Sequence, residues 1–193
     1  MPVERTVCVY SSSSATIAPA FFAAADELGA ALAQAGYTLV YGGAQVGLMG
    51  AVARAVHAHG GRVVGVIPDG LRTREIVYEA ADELIVTADM RARKAVMEAR
   101  AAAFVALPGG FGTLEEILEI LTLKQLGWHR KPLVLLNTAG FYDPLIDLFE
   151  HIYRGQFAPV ATRQLYYVTA DVADAVAHLA AGLTAVAAAE AER

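Results

Sequence analysis

Cysteine is nearly absent: Cys8 is the one thiol in 193 residues. A single thiol excludes an internal disulfide and any zinc site built from several cysteines. Within Val7-Cys8-Val9-Tyr10 it reads as a buried, inert side chain. Basic residues are outnumbered. The 15 Lys and Arg against 20 Asp and Glu leave a net charge of −5, which argues against a general nucleic-acid binder with its basic face. A local basic cluster can still hold one phosphate. Long apolar runs are missing too, although apolar residues make up 56% of the chain. Much of that share is alanine in helical stretches, and no window offers about 20 uninterrupted apolar residues, so no transmembrane helix is read. The N-terminus runs into a strand-like segment without the apolar core of a signal peptide. The expected location is the cytoplasm, with no membrane partner.

What is present is an alternation. Short runs rich in Val, Leu and Ile at 6–10, 38–41, 62–67, 83–86, 103–107, 132–137 and 165–168 have little polar alternation, as parallel strands buried on both faces do. Helical patterns fall between them at 19–35, 48–59, 90–101, 113–126, 144–154 and 172–183. Repeated strand–helix units predict an α/β fold: a Rossmann-like, doubly wound, mainly parallel sheet with helices on both faces. No linker divides residues 1–183, and the alanine-rich stretch 184–193 reads as a helical extension or a frayed tail. Right-handed crossovers bring all strand C-termini to one edge, where open sheets bind ligands. Residues 11–14 (four serines), 42–50 and 108–112 should gather there.

In Pro108-Gly109-Gly110-Phe111-Gly112-Thr113, three glycines let the backbone approach a ligand without a Cβ in the way. The helix that follows presents unpaired N–H groups and a positive dipole end, which suit a phosphate. The second glycine run, Gly42-Gly43 to Gly47-Leu48-Met49-Gly50, either contacts the ligand, with Gly43 as the candidate, or lets its helix pack closely on the sheet. Neither run fits a dinucleotide fingerprint, since Glu115 stands where the third glycine belongs, and no Gly-Lys-Ser/Thr of a P-loop is present.

Thr113 and Glu116 have the spacing of a capping box. The same position also puts the Glu116 carboxylate one turn into a helix that opens on the ligand edge. Capping and catalysis both stay open for it, while Glu115 projects about 100° away around the helix. In Asp89-Met90-Arg91-Ala92-Arg93-Lys94, Asp89 reads as an N-cap and three cations crowd the first turn, where the dipole disfavours them. A bound anion would explain that placement, with Arg93 or Lys94 favoured over Arg91. The loop 68–75 is long enough to cover a pocket. The five histidines assemble no metal site, and Trp128 reads as a core or subunit-contact residue.

Taken together, Pro108-Gly109-Gly110-Phe111-Gly112-Thr113-Leu114-Glu115-Glu116, the upstream Met90-Arg91-Ala92-Arg93-Lys94 and Tyr41-Gly42-Gly43…Val46-Gly47-Leu48-Met49-Gly50 resemble the Lonely Guy family of cytokinin riboside 5′-monophosphate phosphoribohydrolases, many of whose relatives carry the label lysine decarboxylase. The resemblance runs from about residue 6 to 183. It implies a Rossmann-like homodimer that splits the N-glycosidic bond of an N6-modified AMP into free base and ribose 5-phosphate, with no metal or organic cofactor. By position it implies Arg93 and Glu116 as the catalytic pair. Glu75, Lys94, Gly110, Phe111, Gly112, Thr113, Leu114, Glu115 and Thr122 match positions that contact the nucleotide. Ser11-Ser12-Ser13-Ser14 departs from the family's Cys-Gly-Ser-Ser. The rival reading is a non-catalytic nucleotide or phosphorylated-cofactor carrier on the same fold. A pyridoxal-phosphate decarboxylase would need a Schiff-base lysine, for which Lys94, Lys124 and Lys131 are the only candidates. Leu118, Leu121 and Leu126 line either a dimer contact or the core.

Overall fold

The structure is a computed structural model and describes residues 5–72 and 77–191. In chain order the elements are β1 (Thr6–Tyr10), α1 (Pro19–Gln34), β2 (Thr38–Tyr41), α2 (Gly47–Ala58), β3 (Val63–Pro68), α3 (Asp69–Arg72), β4 (Glu83–Thr87), α4 (Met90–Arg100), β5 (Ala103–Ala106), α5 (Phe111–Gln125), β6 (Leu133–Leu136), α6 (Asp143–Arg154), β7 (Tyr167–Thr169) and α7 (Val172–Ala191). Among the described residues the strands form one sheet in the order β4-β3-β2-β1-β5-β6-β7. Every pairing in it is parallel. The doubly wound expectation is met.

The two faces separate residue by residue. Along β1, Val7 and Val9 pack with Leu28 and Leu32 of α1, Leu48 and Val52 of α2, and Leu179 of α7. Cys8 and Tyr10 turn the other way, onto Met97 of α4, Ile117 and Ile120 of α5, and Phe149 of α6. Period-2 alternation with both sides apolar makes the strand a continuous hydrophobic run in the sequence. Leu28 and Leu32 are fully buried, each contributing roughly 1.5–3 kcal/mol by leaving water. Cys8 is buried, and burial pushes its thiol well up, so the inert reading stands.

Two boundaries differ from expectation. Helix α5 starts at Phe111, with Gly110 rather than Thr113 at its N-cap. Residues Val160–Leu165 wind into a 3₁₀ helix, so the last strand begins at Tyr167. Of the two readings of the 184–193 stretch, the described part, to Ala191, takes the helical extension, as the end of α7. By length and composition Val172–Ala189 is apolar enough to cross a membrane, a match that the search for an uninterrupted run misses. Here Val172, Ala175 and Leu179 pack it onto the sheet, and His178 stacks on Tyr167 at 4.0 Å.

Strand order reverses between β1 and β5, the switch point at which doubly wound sheets leave a crevice. The serine turn after β1 and the glycine turn after β5 face each other across it, joined by a hydrogen bond from the Ser12 N–H to the Pro108 carbonyl at 3.3 Å.

Candidate active site

A cleft of about 340 Å³ opens at this switch point, within the range for small-molecule sites. Its lining comes from Ser11 to Ser14 after β1, Gly42 and Met49 at the second glycine run, Leu71 of α3, Met90 and Arg93 of α4, and Gly110, Gly112, Thr113, Glu115 and Glu116 at the start of α5.

Arg93 and Glu116 are the buried charges of the cleft, 6% and 5% exposed. The guanidinium donates from Nη1 to Glu116 Oε1 at 2.7 Å and from Nε to the Val66 carbonyl at 3.0 Å. Nη2 lies against Gly42, where an added Cβ would stand 2.1 Å from it. The glycine after β2 is therefore the space for an arginine from α4. Burial pushes the Glu116 carboxyl above its ordinary range, and Arg93 pulls it only part of the way back. The capping box read from Thr113 and Glu116 does not form. Thr113 sits inside the first turn and Glu116 is bonded to Arg93, because the N-cap is Gly110, three residues before Thr113.

Asp89 does cap α4, accepting from the Ala92 N–H at 2.8 Å. Two of the three cations crowded behind it have carboxylate partners within the chain. Glu116 compensates Arg93. Lys94 is ion-paired with Glu115 and, at 2.9 Å, with Glu119, and the hydrogen bond to Glu115 holds its ammonium above the ordinary lysine range. Lys94 lies outside the cleft, in a separate groove of about 250 Å³ with Arg91, Glu98 and Glu119.

The start of α5 is built to meet a ligand. Among the described residues no side chain caps it, so the N–H groups of its first turn are unspent. A Cβ at Gly109 would collide with Thr113 Oγ1 at 2.1 Å, so that glycine is there for packing. At Gly110 and Gly112 a Cβ would meet nothing within 4 Å, yet both line the cleft. Their bareness serves open space. The second run divides differently. Gly47, at φ +59°, backs onto Ser13, and Gly43, at φ +78°, rests on Ile67 and Val66 outside the cleft lining. Leu48 and Met49 N–H groups are taken by the Ser12 carbonyl at 2.9 and 3.3 Å. Close packing is the use of that run, except at Gly42.

Phe111 is 92% exposed, Leu114 packs beneath α5, and Glu115 borders the cleft while paired with Lys94. Thr122 is exposed on α5, its hydroxyl bonded to the Leu118 carbonyl, and does not line the cleft. Glu75 lies outside the described residues. Composition alone did not single out Met49, Leu71 and Met90, which give the cleft an apolar wall. Nor did it single out Ser11, whose buried hydroxyl has no partner among the described residues. Trp128 is 75% exposed, which removes its core reading. Among the described residues no cluster of His, Cys, Asp and Glu could hold a metal ion.

Residues 49–179 match the family model described as "Possible lysine decarboxylase". A cytokinin riboside 5′-monophosphate phosphoribohydrolase of Arabidopsis thaliana is 49% identical over 161 residues, covering 82% of this chain and 74% of that protein. A probable enzyme of the same name from Oryza sativa subsp. japonica is 47% identical over 160 residues, covering 82% and 65%. The chain thus spans about two thirds to three quarters of these relatives. Among solved structures, the molybdenum cofactor carrier protein of Chlamydomonas reinhardtii superposes with a TM-score of 0.73 at 28% identity, covering 94% of this chain and 99% of that one. By sequence the chain belongs to the family of the cytokinin riboside 5′-monophosphate phosphoribohydrolases, the Lonely Guy enzymes, which falls under the model described as possible lysine decarboxylase.

Proposed function

We propose that the protein hydrolyses the N-glycosidic bond of adenine-type nucleoside 5′-monophosphates, N6-modified AMP and AMP itself, giving free base and ribose 5-phosphate. The observation that carries this reading is one cleft holding both a buried Arg93–Glu116 pair at 2.7 Å and an uncapped helix start at Gly110. The unspent amides of α5 bind the phosphate. That contact, remote from the reacting bond, aligns the ribose over Glu116. As the bond to the base breaks, positive charge builds on the ribose, as in glycoside hydrolysis. The Glu116 carboxylate faces that charge and takes a proton from the attacking water, whose oxygen bonds to the ribose carbon while the proton passes on to the departing base, and its raised affinity for a proton suits the second task. Arg93, with Nε and Nη1 already committed, holds the carboxylate in place.

The test is release of base from AMP and isopentenyladenosine monophosphate by the purified protein. Glu116→Gln should lower turnover by about 100-fold or more while nucleotide binding, followed by calorimetry, stays within a few-fold. Full activity in that variant would reject a catalytic Glu116. The likeness to a molybdenum cofactor carrier favours a second reading, a carrier of a phosphorylated ligand, which needs the helix start but not the ion pair. Tight binding of AMP without base release would select it. A lysine-dependent decarboxylase has no support: Lys94 is ion-paired outside the cleft, and neither Lys124 nor Lys131 lines it.

The proposal includes a homodimer. Leu118, Leu126 and Trp128 are exposed on or just beyond α5, as is Phe111 at its start. Thr122 is one turn from Leu118 on the same side of the helix, so a dimer formed through this face would bring Thr122 into the interface.

A further inference from the structure

We infer that Tyr142 is a positioning residue for the phosphate turn, holding it from the β6 side so that its amides meet the ligand; this rests on the reading of that turn given above. Strand β5 pairs with β6 as far as Ala106 against Leu135. One residue later Leu107 gives its N–H to the Tyr10 carbonyl at 2.9 Å, and its own carbonyl, just before Pro108, accepts from the Tyr142 hydroxyl at 2.7 Å. Tyr142 is 1% exposed. Burial pushes its phenol well above the ordinary range, so it stays a donor.

The segment that delivers this hydroxyl is itself over-determined. Asn137, the residue after β6, accepts from the Tyr142 N–H at 2.7 Å through its side-chain oxygen and donates to Asp143 Oδ1 at 2.8 Å. Between them Ala139 is held at φ 53°, ψ 28°, a left-handed conformation that L residues adopt at a cost. Such a conformation persists where its surroundings dictate it, often next to working groups. On the opposite flank the Ser12 N–H grips the next carbonyl, that of Pro108, and Gly109 rests on Thr113. Residues 107, 108 and 109 are therefore each pinned, one by Tyr142 beyond β6, one by Ser12 beyond β1 and one by Thr113 of α5. Beyond them Gly110 and Gly112 stand free at the cleft. The phosphate-facing amides inherit their position from these three contacts, and Tyr142 supplies the β6 contact with a single atom. Positional errors on the scale of 1 Å are costly at such sites.

The experiment is Tyr142→Phe in the full chain, with calorimetric binding of ribose 5-phosphate and of adenosine compared with wild type. Losing one hydrogen bond and leaving a buried carbonyl unpaired should weaken ribose 5-phosphate by about tenfold. Adenosine, which lacks the phosphate, should change by less than about twofold, and kcat/KM for any base release from AMP should fall. Asn137→Ala, which loosens the tyrosine without opening the core, should show the same selective loss in smaller measure, and it stands in if Tyr142→Phe does not fold. Unchanged ribose 5-phosphate binding, or equal weakening of both ligands, overturns the inference. Wild-type protein that binds ribose 5-phosphate but releases no base overturns the hydrolase reading alone. Wild-type protein that binds no ribose 5-phosphate removes the phosphate turn, and the inference with it.

Discussion

At the scale of single residues, two charged groups from different helices share one hydrogen bond in a nearly dry space, and that controls their chemistry. Glu116 is desolvated more than Arg93 compensates, so it takes up a proton at higher pH than an ordinary glutamate. Two outcomes follow with definite signs. First, the acid limb of kcat/KM for AMP should show an apparent pKa above the ordinary glutamate value of 4.5, and in Glu116→Gln the residual rate should lose that limb. The same shift acts on folding. Between the ordinary and the raised value, the folded protein holds a proton that the unfolded chain has released, so this group's contribution to stability falls as pH rises through that window. Second, Gly42→Ala would put a methyl 2.1 Å from Arg93 Nη2. The guanidinium must give way and strain its bonds to Glu116 and Val66, so the melting temperature should fall and kcat should drop by roughly tenfold or more as the buried pair loses its alignment. A variant with full turnover would show that Arg93 has room to spare.

At the scale of elements, α4 and α5 begin in opposite ways, and the contrast explains the site. Helix α4 has a side-chain cap, Asp89, and cations in its first turn; α5 has neither a cap nor an acidic residue there. The first spends its N–H groups internally, and the second leaves them for a ligand. Gly112 lies in that open turn, so Gly112→Ala should move stability and binding in opposite directions. Alanine favours the helix over glycine by about 0.5–1 kcal/mol, measurable as a higher denaturation midpoint. Its methyl faces the cleft, so AMP binding should weaken by about tenfold. Loss of stability instead would mean that the glycine is structural. Much at this scale was legible beforehand. The strand 6–10, the strand 38–41 and the Asp89 cap were readable because apolar runs and caps are local patterns. The Thr113–Glu116 spacing leaves capping and catalysis both open because it is local, whereas the partner that claims Glu116 stands 23 positions away at Arg93.

At the scale of the whole molecule, a sheet ordered 4-3-2-1-5-6-7 puts the C-terminal ends of β1 and β5 side by side with a crevice between them. Apolar residues stand exposed on and just beyond α5, Phe111, Leu118, Leu126 and Trp128. If the proposed homodimer forms there, Leu118→Glu, at a position 36% exposed, should halve the mass seen by light scattering without unfolding the chain. A mass unaffected by the charge would place the contact elsewhere. The sequence by itself determined which segments are strands and helices, which turn is bare of side chains, and which residue types carry charge near it, since each of these is written in neighbouring positions. Only the tertiary structure decided that Gly42 makes room for Arg93, that Lys94 is spent on Glu115 and Glu119, and that a tyrosine after β6 reaches the carbonyl before Pro108. Those contacts join residues far apart in the chain, and their distances depend on strand order and helix placement, which no local pattern encodes.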